Sequence, residues 1–600
     1  MINSPQENFY RENLEKVSAA RLKIKARKNL TTWLRVIIFL GGVVGLYIFT
    51  ASNNSQAVII ISIVSVVLFL FLVRYFALLK NRFDYLSIKQ SQFEKELQGL
   101  KGDYSGFDGA EDEKDAEHEF VEDIDFFGDE SVFQQINRSC TVTGRSKLAQ
   151  WFKNPEQNAN ELRKRQQAIT ELVEKRDLRF TFRATGMQAD MKMEDYKGLL
   201  KWGKLPQLFN KPIFIILPIV AILLSVIGIV LVSLSKISFV VFILYVFVGP
   251  MAFSSIYVQR ITQRHNYVSR MSALFSAYKA LFLQVEKEEF QSDYLQKLQH
   301  ELVGETVASQ AIDQLGKITT AIDSRLNLLM AFVLNGLFLW DIIQMVRLER
   351  WQQKYKDEIP VWFDALGTFD ALCSLSGFAY NNPKYVLPQF SDQEHVMSAT
   401  KLGHPLISAE QRVCNDFSLE KRGDFMIITG ANMAGKSTFL RTVAVNMILG
   451  MSGTVVCAEK MIFTPIHVIT SLRTTDNLVR NESYFFAELK RLKWIIDKLN
   501  SGERLFIILD EILKGTNSKD KQEGSRALIE QLVRLKATGI IATHDIILGK
   551  LVEEYPDNII NRCFEVDLKN DQLIFDYTLR AGVSQNMNAT FLMRRMGITV

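Results

Sequence analysis

The chain has 600 residues, of which 48% are hydrophobic, 11% aromatic and 23% charged. That is too long for one ordinary domain and too apolar for a disordered chain. The net charge of +5 is too small to demand nucleic acid, yet it leaves room for a local basic patch. The five cysteines, Cys140, Cys373, Cys414, Cys457 and Cys563, form no C-x-x-C pair. This argues against a disulfide framework or a structural zinc site, and for a reducing compartment.

The first 28 residues are polar and basic, without the apolar stretch of a cleaved signal peptide. Two apolar runs follow, over 33–51 and 57–73, and a second pair covers 212–234 and 237–258. Each is close to the ~20 residues a helix needs to cross the hydrocarbon core. A buried core helix is the alternative, and it gains weight in the second pair, where each run contains proline. Charge placement gives an orientation. Arg21, Lys23, Lys25, Arg27 and Lys28 precede the first pair, the stretch 52–56 is uncharged, and Arg74, Lys80 and Arg82 follow. Lys201, Lys204 and Lys211 precede the second pair and Arg260 and Arg264 follow it, with only Lys236 in the connection. The positive-inside tendency then predicts two hairpins in a cell (inner) membrane, with both termini and the C-terminal half cytoplasmic. A fifth apolar stretch, 326–346, holds Asn327, Asn335, Asp341 and Gln344. An intramembrane Asp is costly, so this stretch is expected as a soluble or interfacial helix.

Residues 83–100 read as a polar helix. The acidic stretch 102–125, with Asp103, Glu111, Asp112, Glu113 and Asp115, reads as a solvated linker. Long amphipathic helices are expected from 120 to about 381. From 424 onward short β-rich runs at 425–429, 505–509 and 539–542 alternate with helices, the pattern of a mostly parallel α/β sheet.

The first of these runs enters Gly430, Ala431, Asn432, Met433, Ala434, Gly435, Lys436, Ser437 and Thr438, and then a helix. This satisfies G-x-x-x-x-G-K-[ST] in the required strand–loop–helix setting. Glycines there let backbone N–H groups wrap phosphates, and the helix N-terminus favours the anion. Lys436 is placed to reach the β- and γ-phosphates of ATP, and the Ser437 hydroxyl to coordinate Mg²⁺. The second run ends in Asp510 and Glu511. Asp510 is the second metal-holding candidate, and Glu511 the candidate base that orients or deprotonates water. The third run delivers His544, a candidate γ-phosphate sensor, to the same sheet edge; a lone histidine is otherwise usually structural.

The wording of these loops resembles the MutS family of DNA mismatch repair ATPases. The family's G-P-N-M-[AG]-G-K-S-T is matched at 430–438 with Ala431 in place of Pro, and its D-E-[IL]-G-[RK]-G-T-[ST] at 510–517 with Leu513 and Asn517 departing. The A-T-H at 542–544 matches the family's switch histidine, and G-H-P-L at 403–406 its short segment ahead of the P-loop. The stretch 476–489 is similar to the family's signature region. By that match Ser483 is the serine that reaches the partner subunit's γ-phosphate, which implies a homodimer with composite sites. Tyr577 falls where the family has an adenine-stacking histidine. Weaker similarity at 123–128, 137–144, 163–167 and 366–375 places the ends of the family's core domain.

The expected architecture is therefore multidomain: two transmembrane helical hairpins, a mostly α-helical MutS-like core/lever region and a C-terminal α/β P-loop (ABC-type) ATPase domain. The expected divisions are a basic N-terminus at 1–32, hairpin 1 at 33–73, helix and acidic linker at 74–119, the helical region at 120–390 with hairpin 2 at about 212–258, and the ATPase domain at 391–600. No counterpart of the family's mismatch-reading N-terminal domain is expected, and its DNA clamp is expected to be reduced or missing. The resemblance implies a membrane-tethered ATPase that uses ATP and Mg²⁺ and is coupled to DNA. An ABC-type transporter subunit, or an ATP-driven membrane adaptor that does not touch DNA, are the alternatives.

Overall fold

The computed structural model describes residues 4–52, 54–189, 191–269, 272–304, 306–391, 397–431, 433–472, 484–513, 517–569 and 572–585. The basic N-terminus and the first apolar run form one uninterrupted helix, Pro5–Ala51, opened by Ser4, whose hydroxyl accepts the Glu7 N–H. It runs against a second long helix, Ser55–Gly99, which absorbs both the second apolar run and the polar helix expected at 83–100. In the apolar half of this hairpin a Cβ on Gly42 would stand 2.9 Å from Ser65 Oγ, so glycine permits the close approach. Side chains such as Ile60, Leu70 and Phe71 point outward there. At the other end Tyr10, Val17 and Phe93 bury against Phe180, and Glu96 pairs with Arg138 and Arg183.

The acidic stretch differs from expectation. Phe107, Ala110, Phe120, Val121 and Ile124 are buried, and the carboxylates between them have fixed partners. Asp108 and Asp112 both hold Arg145, and Glu113 holds Lys153. Further on, Asp123 accepts from the Thr470 hydroxyl and the Leu472 N–H, and Asp125 pairs with Arg441. The segment is a strap tying the first hairpin and the helical region to the C-terminal domain, because apolar residues among the acids give it a face to bury.

The helical region centres on Glu358–Asn381, buried along nearly its whole length. Within it Asp370 accepts the backbone N–H groups of Cys140 and Thr141 and the Thr141 hydroxyl, fixing the start of helix Val142–Lys153. Burial pushes its carboxyl up to about 6. The second hairpin, Pro212–Ser233 and Phe239–Ser269, leaves this region through a buried junction in which Glu349 accepts the N–H groups of Leu208 and Phe209 and pairs with Arg264. By length and composition, four helices among the described residues are able to cross a membrane. The fifth stretch splits at Leu339, whose φ is +50°, into helices Leu328–Phe338 and Trp340–Tyr355. The first lies on the second hairpin, with the Phe332 and Phe247 rings stacked at 4.5 Å; the second enters the helical core.

The C-terminal domain carries ten strands among the described residues: β1 Gln389–Phe390, β2 Met397–Leu402, β3 Asn415–Leu419, β4 Phe425–Gly430, β5 Lys460–Phe463, β6 His467–Ser471, β7 Leu505–Asp510, β8 Thr538–Thr543, β9 Ile559–Lys569 and β10 Gln572–Ala581. The main sheet has the order β10-β9-β4-β8-β7-β6; its pairings are parallel except for β9 with β10. Every residue of β4, β7 and β8 is buried, as expected of strands covered on both faces. A second sheet, β1-β5-β2-β3, packs beside it and was not expected from the sequence.

Candidate nucleotide site

The C-terminal ends of β4, β7 and β8 lie side by side, and this is where the sequence motifs meet. β4 ends in Gly430, where a Cβ would come within 2.7 Å of the Phe564 carbonyl oxygen, so the chain passes only without a side chain. Met433 and Gly435 take φ values of +68° and +103°, curling the loop before helix Lys436–Met451 begins. Asn432 lies outside the described residues. Lys436 is buried, and its Nζ donates to the carbonyls of Gly430 and Ala431 at 2.7 and 2.9 Å. The loop thus encloses its own lysine ammonium at the head of a helix, a concentration of positive potential suited to phosphate.

Ser437 Oγ donates to Asp510 Oδ2 at 2.5 Å, joining the first turn of that helix to the end of β7. A hydroxyl and a carboxylate are hard oxygen donors, and they fit Mg²⁺, which takes one or two protein ligands and fills its shell from phosphate and water. Glu511 follows with φ +49°, and its N–H donates to the Ala542 carbonyl of β8 at 2.9 Å, which fixes the side chain at the sheet edge. His544, from the end of β8, places Nδ1 3.4 Å from Glu511 Oε1, and Lys521 Nζ lies 3.5 Å from its Nε2.

A cavity of about 620 Å³ opens above the loop, lined by Lys436, Ser437, Thr438 and Glu511 at one end. Tyr577 also lines it, its ring standing over Gly435. Asn415 holds that tyrosine's backbone: its side chain donates to the Tyr577 carbonyl at 3.0 Å and accepts the Leu579 N–H at 2.7 Å, across an irregularity in the β9–β10 pairing. The sequence reading missed Asn415, which belongs to no motif. It also gave no site role to His404 or Ile407, which form the cavity's far wall, although His404 stands in the quoted G-H-P-L segment. Asn446 of helix Lys436–Met451 anchors that segment by donating to the Gly403 carbonyl. Burial, with Arg441 and Arg412 nearby, pushes the His404 imidazole down to about 4. Glu488 is buried, and its carboxylate accepts the Leu513 N–H at 2.5 Å, bracing the turn beyond Glu511. Ser483, the proposed trans-acting serine, lies outside the described residues.

The family model for MutS domain III matches residues 118–376 and that for MutS domain V matches 426–593. "MutS protein homolog 4" from Homo sapiens is 34% identical over 246 residues, covering 39% of this chain and 25% of the relative. "DNA mismatch repair protein MutS" from Finegoldia magna is 32% identical over 219 residues, 35% of this chain and 25% of the relative. The protein of that name from Thermotoga maritima is 27% identical over 251 residues, 41% and 31% of the two chains. The chain thus spans about a quarter of the length of the first two relatives. Two MutS domains matched in order along one polypeptide, the second carrying the Gly430 to Thr438 loop just described, identify the chain as a member of the MutS family.

Proposed function

We propose that the chain is a membrane-tethered ATPase that binds ATP with Mg²⁺, hydrolyses it as a homodimer, and couples the cycle to DNA. The observation that carries the ATPase reading is the meeting of Lys436, the Ser437–Asp510 pair and Glu511 at the mouth of one cavity. In this reading the loop amides and Lys436 hold the β- and γ-phosphates, while Ser437 and Asp510 hold the metal ion. Bound Mg²⁺ supplies charge neutralisation between the phosphates. Glu511 orients the attacking water and accepts its proton. His544, with Nδ1 3.4 Å from that carboxylate and its side chain half-exposed, responds to the γ-phosphate. Tyr577 stands on the cavity wall as the candidate adenine platform.

The membrane reading rests on the outward-facing apolar residues of both hairpins, a surface that soluble monomers rarely expose at this scale. The DNA reading rests on the printed names of the relatives, which are mismatch repair proteins. One observation favours a second reading, an ATP-driven membrane adaptor: the second hairpin interrupts the region matched to MutS domain III, so in this reading a movement of that domain would be delivered to the bilayer. The deciding experiment is the ATPase rate of the full chain in lipid nanodiscs with and without duplex, mismatched and branched DNA. Stimulation by any of these supports the first reading. A rate indifferent to all three, in a protein that binds none, supports the adaptor.

A further inference from the structure

We propose that a basic pocket at the root of the second hairpin binds the phosphate of an anionic lipid headgroup. This inference rests on the membrane reading given above. The pocket, about 350 Å³, lies between helices Ala308–Asp323 and Trp340–Tyr355. Its rim carries Lys317, Arg347, Arg350 and Lys354, and its floor is formed by Trp351 and Tyr355. Among the described residues, Arg347, Arg350 and Lys354 form no ion pair with a carboxylate. Lys317 shares Asp313 with Lys279. Trp351 is buried and donates its indole N–H to the Ala311 carbonyl, so the floor is rigid. Arg347 donates to the neutral Gln344 side chain and Lys354 lies over the Tyr355 ring, so neither contact supplies negative charge. Three cations around one concavity without a carboxylate repel each other, and an anion relieves that repulsion.

Location decides which anion. Glu349, beside Arg350, accepts the N–H groups of Leu208 and Phe209, and Gln353 accepts from the Asn210 side chain. These residues immediately precede Pro212, where the first helix of the hairpin begins. The pocket is therefore level with the start of the span, within the headgroup layer that adds roughly 5–8 Å on each side of the hydrocarbon core. Gln352, beside the pocket, donates to the carbonyls of Trp202 and Gly203, between Lys201 and Lys204, and Lys211 caps the first helix of the hairpin, so further positive charge lies nearby. A bilayer phosphate is present at this depth at high local concentration; a nucleic acid would have to enter the same layer. Arginine suits the task through bidentate contact with phosphate oxygens, and basic pockets at this level are a known means of lipid recognition.

Native mass spectrometry of the full chain in detergent tests the proposal, with phosphatidylglycerol, phosphatidylcholine, glycerol phosphate and a short DNA duplex as probes. The wild-type chain should prefer phosphatidylglycerol to phosphatidylcholine. Arg347→Gln with Arg350→Gln should weaken phosphatidylglycerol binding by about fivefold per cation, or about 25-fold together. Arg347→Lys with Arg350→Lys should keep most of it. Should the double Gln variant misfold, Lys354→Gln alone should still show about a fivefold loss. Unchanged phosphatidylglycerol binding in the folded Gln variants overturns the proposal. So does glycerol phosphate binding as tightly as the lipid, or DNA being the one probe that the substitutions weaken. Alkaline carbonate extraction separates the two readings: a chain stripped from membranes defeats the tether itself, whereas a retained chain without lipid preference defeats only this pocket.

Discussion

Lys436 and Glu511 occupy the same cavity and should fail differently. Lys436→Ala removes the buried cation the phosphate loop is folded around, and ATP binding should fall below detection in a filter or fluorescence assay. Glu511→Gln keeps the shape and the backbone bond to Ala542 but loses the base, so ATP should bind normally while turnover drops by about 10²–10⁴. Normal turnover in Glu511→Gln would remove the residue from the mechanism. His404 gives a pH signature. Its imidazole is neutral in the fold down to about 4 but protonates near 6.5 in the unfolded chain. Between these values the unfolded state binds the extra proton, so stability is complete above about 6.5 and is lost as pH falls toward 4, by on the order of 2–3 kcal/mol. His404→Gln should flatten the fall in thermal midpoint over that window; an unchanged profile would mean that another group sets it. The local part of this site was legible in the sequence because Gly430 to Thr438 and Asp510–Glu511 are each a short consecutive motif, although Ser437 and Asp510 come from different ones. Asn415, His404 and Glu488 were not, because each acts on a backbone or cavity wall that only the tertiary fold brings to it.

At the scale of elements, the first hairpin depends on one buried junction. Burial pushes the Glu96 carboxyl up, but Arg138 and Arg183 outweigh it and hold the group below the ordinary carboxylate range. Glu96 also accepts from Asn381, which in turn accepts the Tyr10 hydroxyl, so both helices of the stem reach the central helix through this cluster. Glu96→Ala leaves two buried guanidinium groups without their partner and should cost about 3–5 kcal/mol. The expected outcome is faster amide exchange at 5–20 and 85–99, with the nucleotide site protected as before. Exchange that stays unchanged in the stem would show that its apolar cluster suffices. The helices of this hairpin were legible from their apolar and polar patterns, but their fusion into two continuous rods was not, since nothing local marks a helix that merely continues. The strap over 102–125 was misread for the opposite reason. Its density of acids resembles a solvated linker, while the partners that order it, Arg145, Arg441 and Thr470 among them, lie far along the chain. The sheet β1-β5-β2-β3 escaped notice because its strands are short and only half-buried in alternation.

For the whole molecule, topology and assembly decide whether the parts form one machine. In a background with the exposed Cys414 replaced by Ser, a cysteine at Asn53 should react with an impermeant reagent on sealed cells and a cysteine at Ser518 should not. Asn53 itself lies outside the described residues, so this prediction rests on the uncharged connection and basic flanks; labelling at Ser518 would reverse the topology. Assembly rests on the family resemblance at Ser483 and on the physics of a shared site. A hydroxyl supplied by a neighbour makes γ-phosphate binding conditional on contact, and in the proposed membrane-tethered form two-dimensional confinement would raise the effective concentration of subunits. Ser483→Ala and Lys436→Ala subunits should each be inactive alone. In a mixed dimer, one site combines both defects, while the other pairs an intact Lys436 with an intact Ser483 from its neighbour. Random exchange of equal amounts makes half the dimers mixed, so about a quarter of wild-type activity should return for a two-fold symmetric assembly. The alternative is that Ser483 only caps the helix Tyr484–Asn500, in which case its loss weakens each subunit independently. Mixing would then return the plain average of the two mutant rates, and the composite site would have to be abandoned.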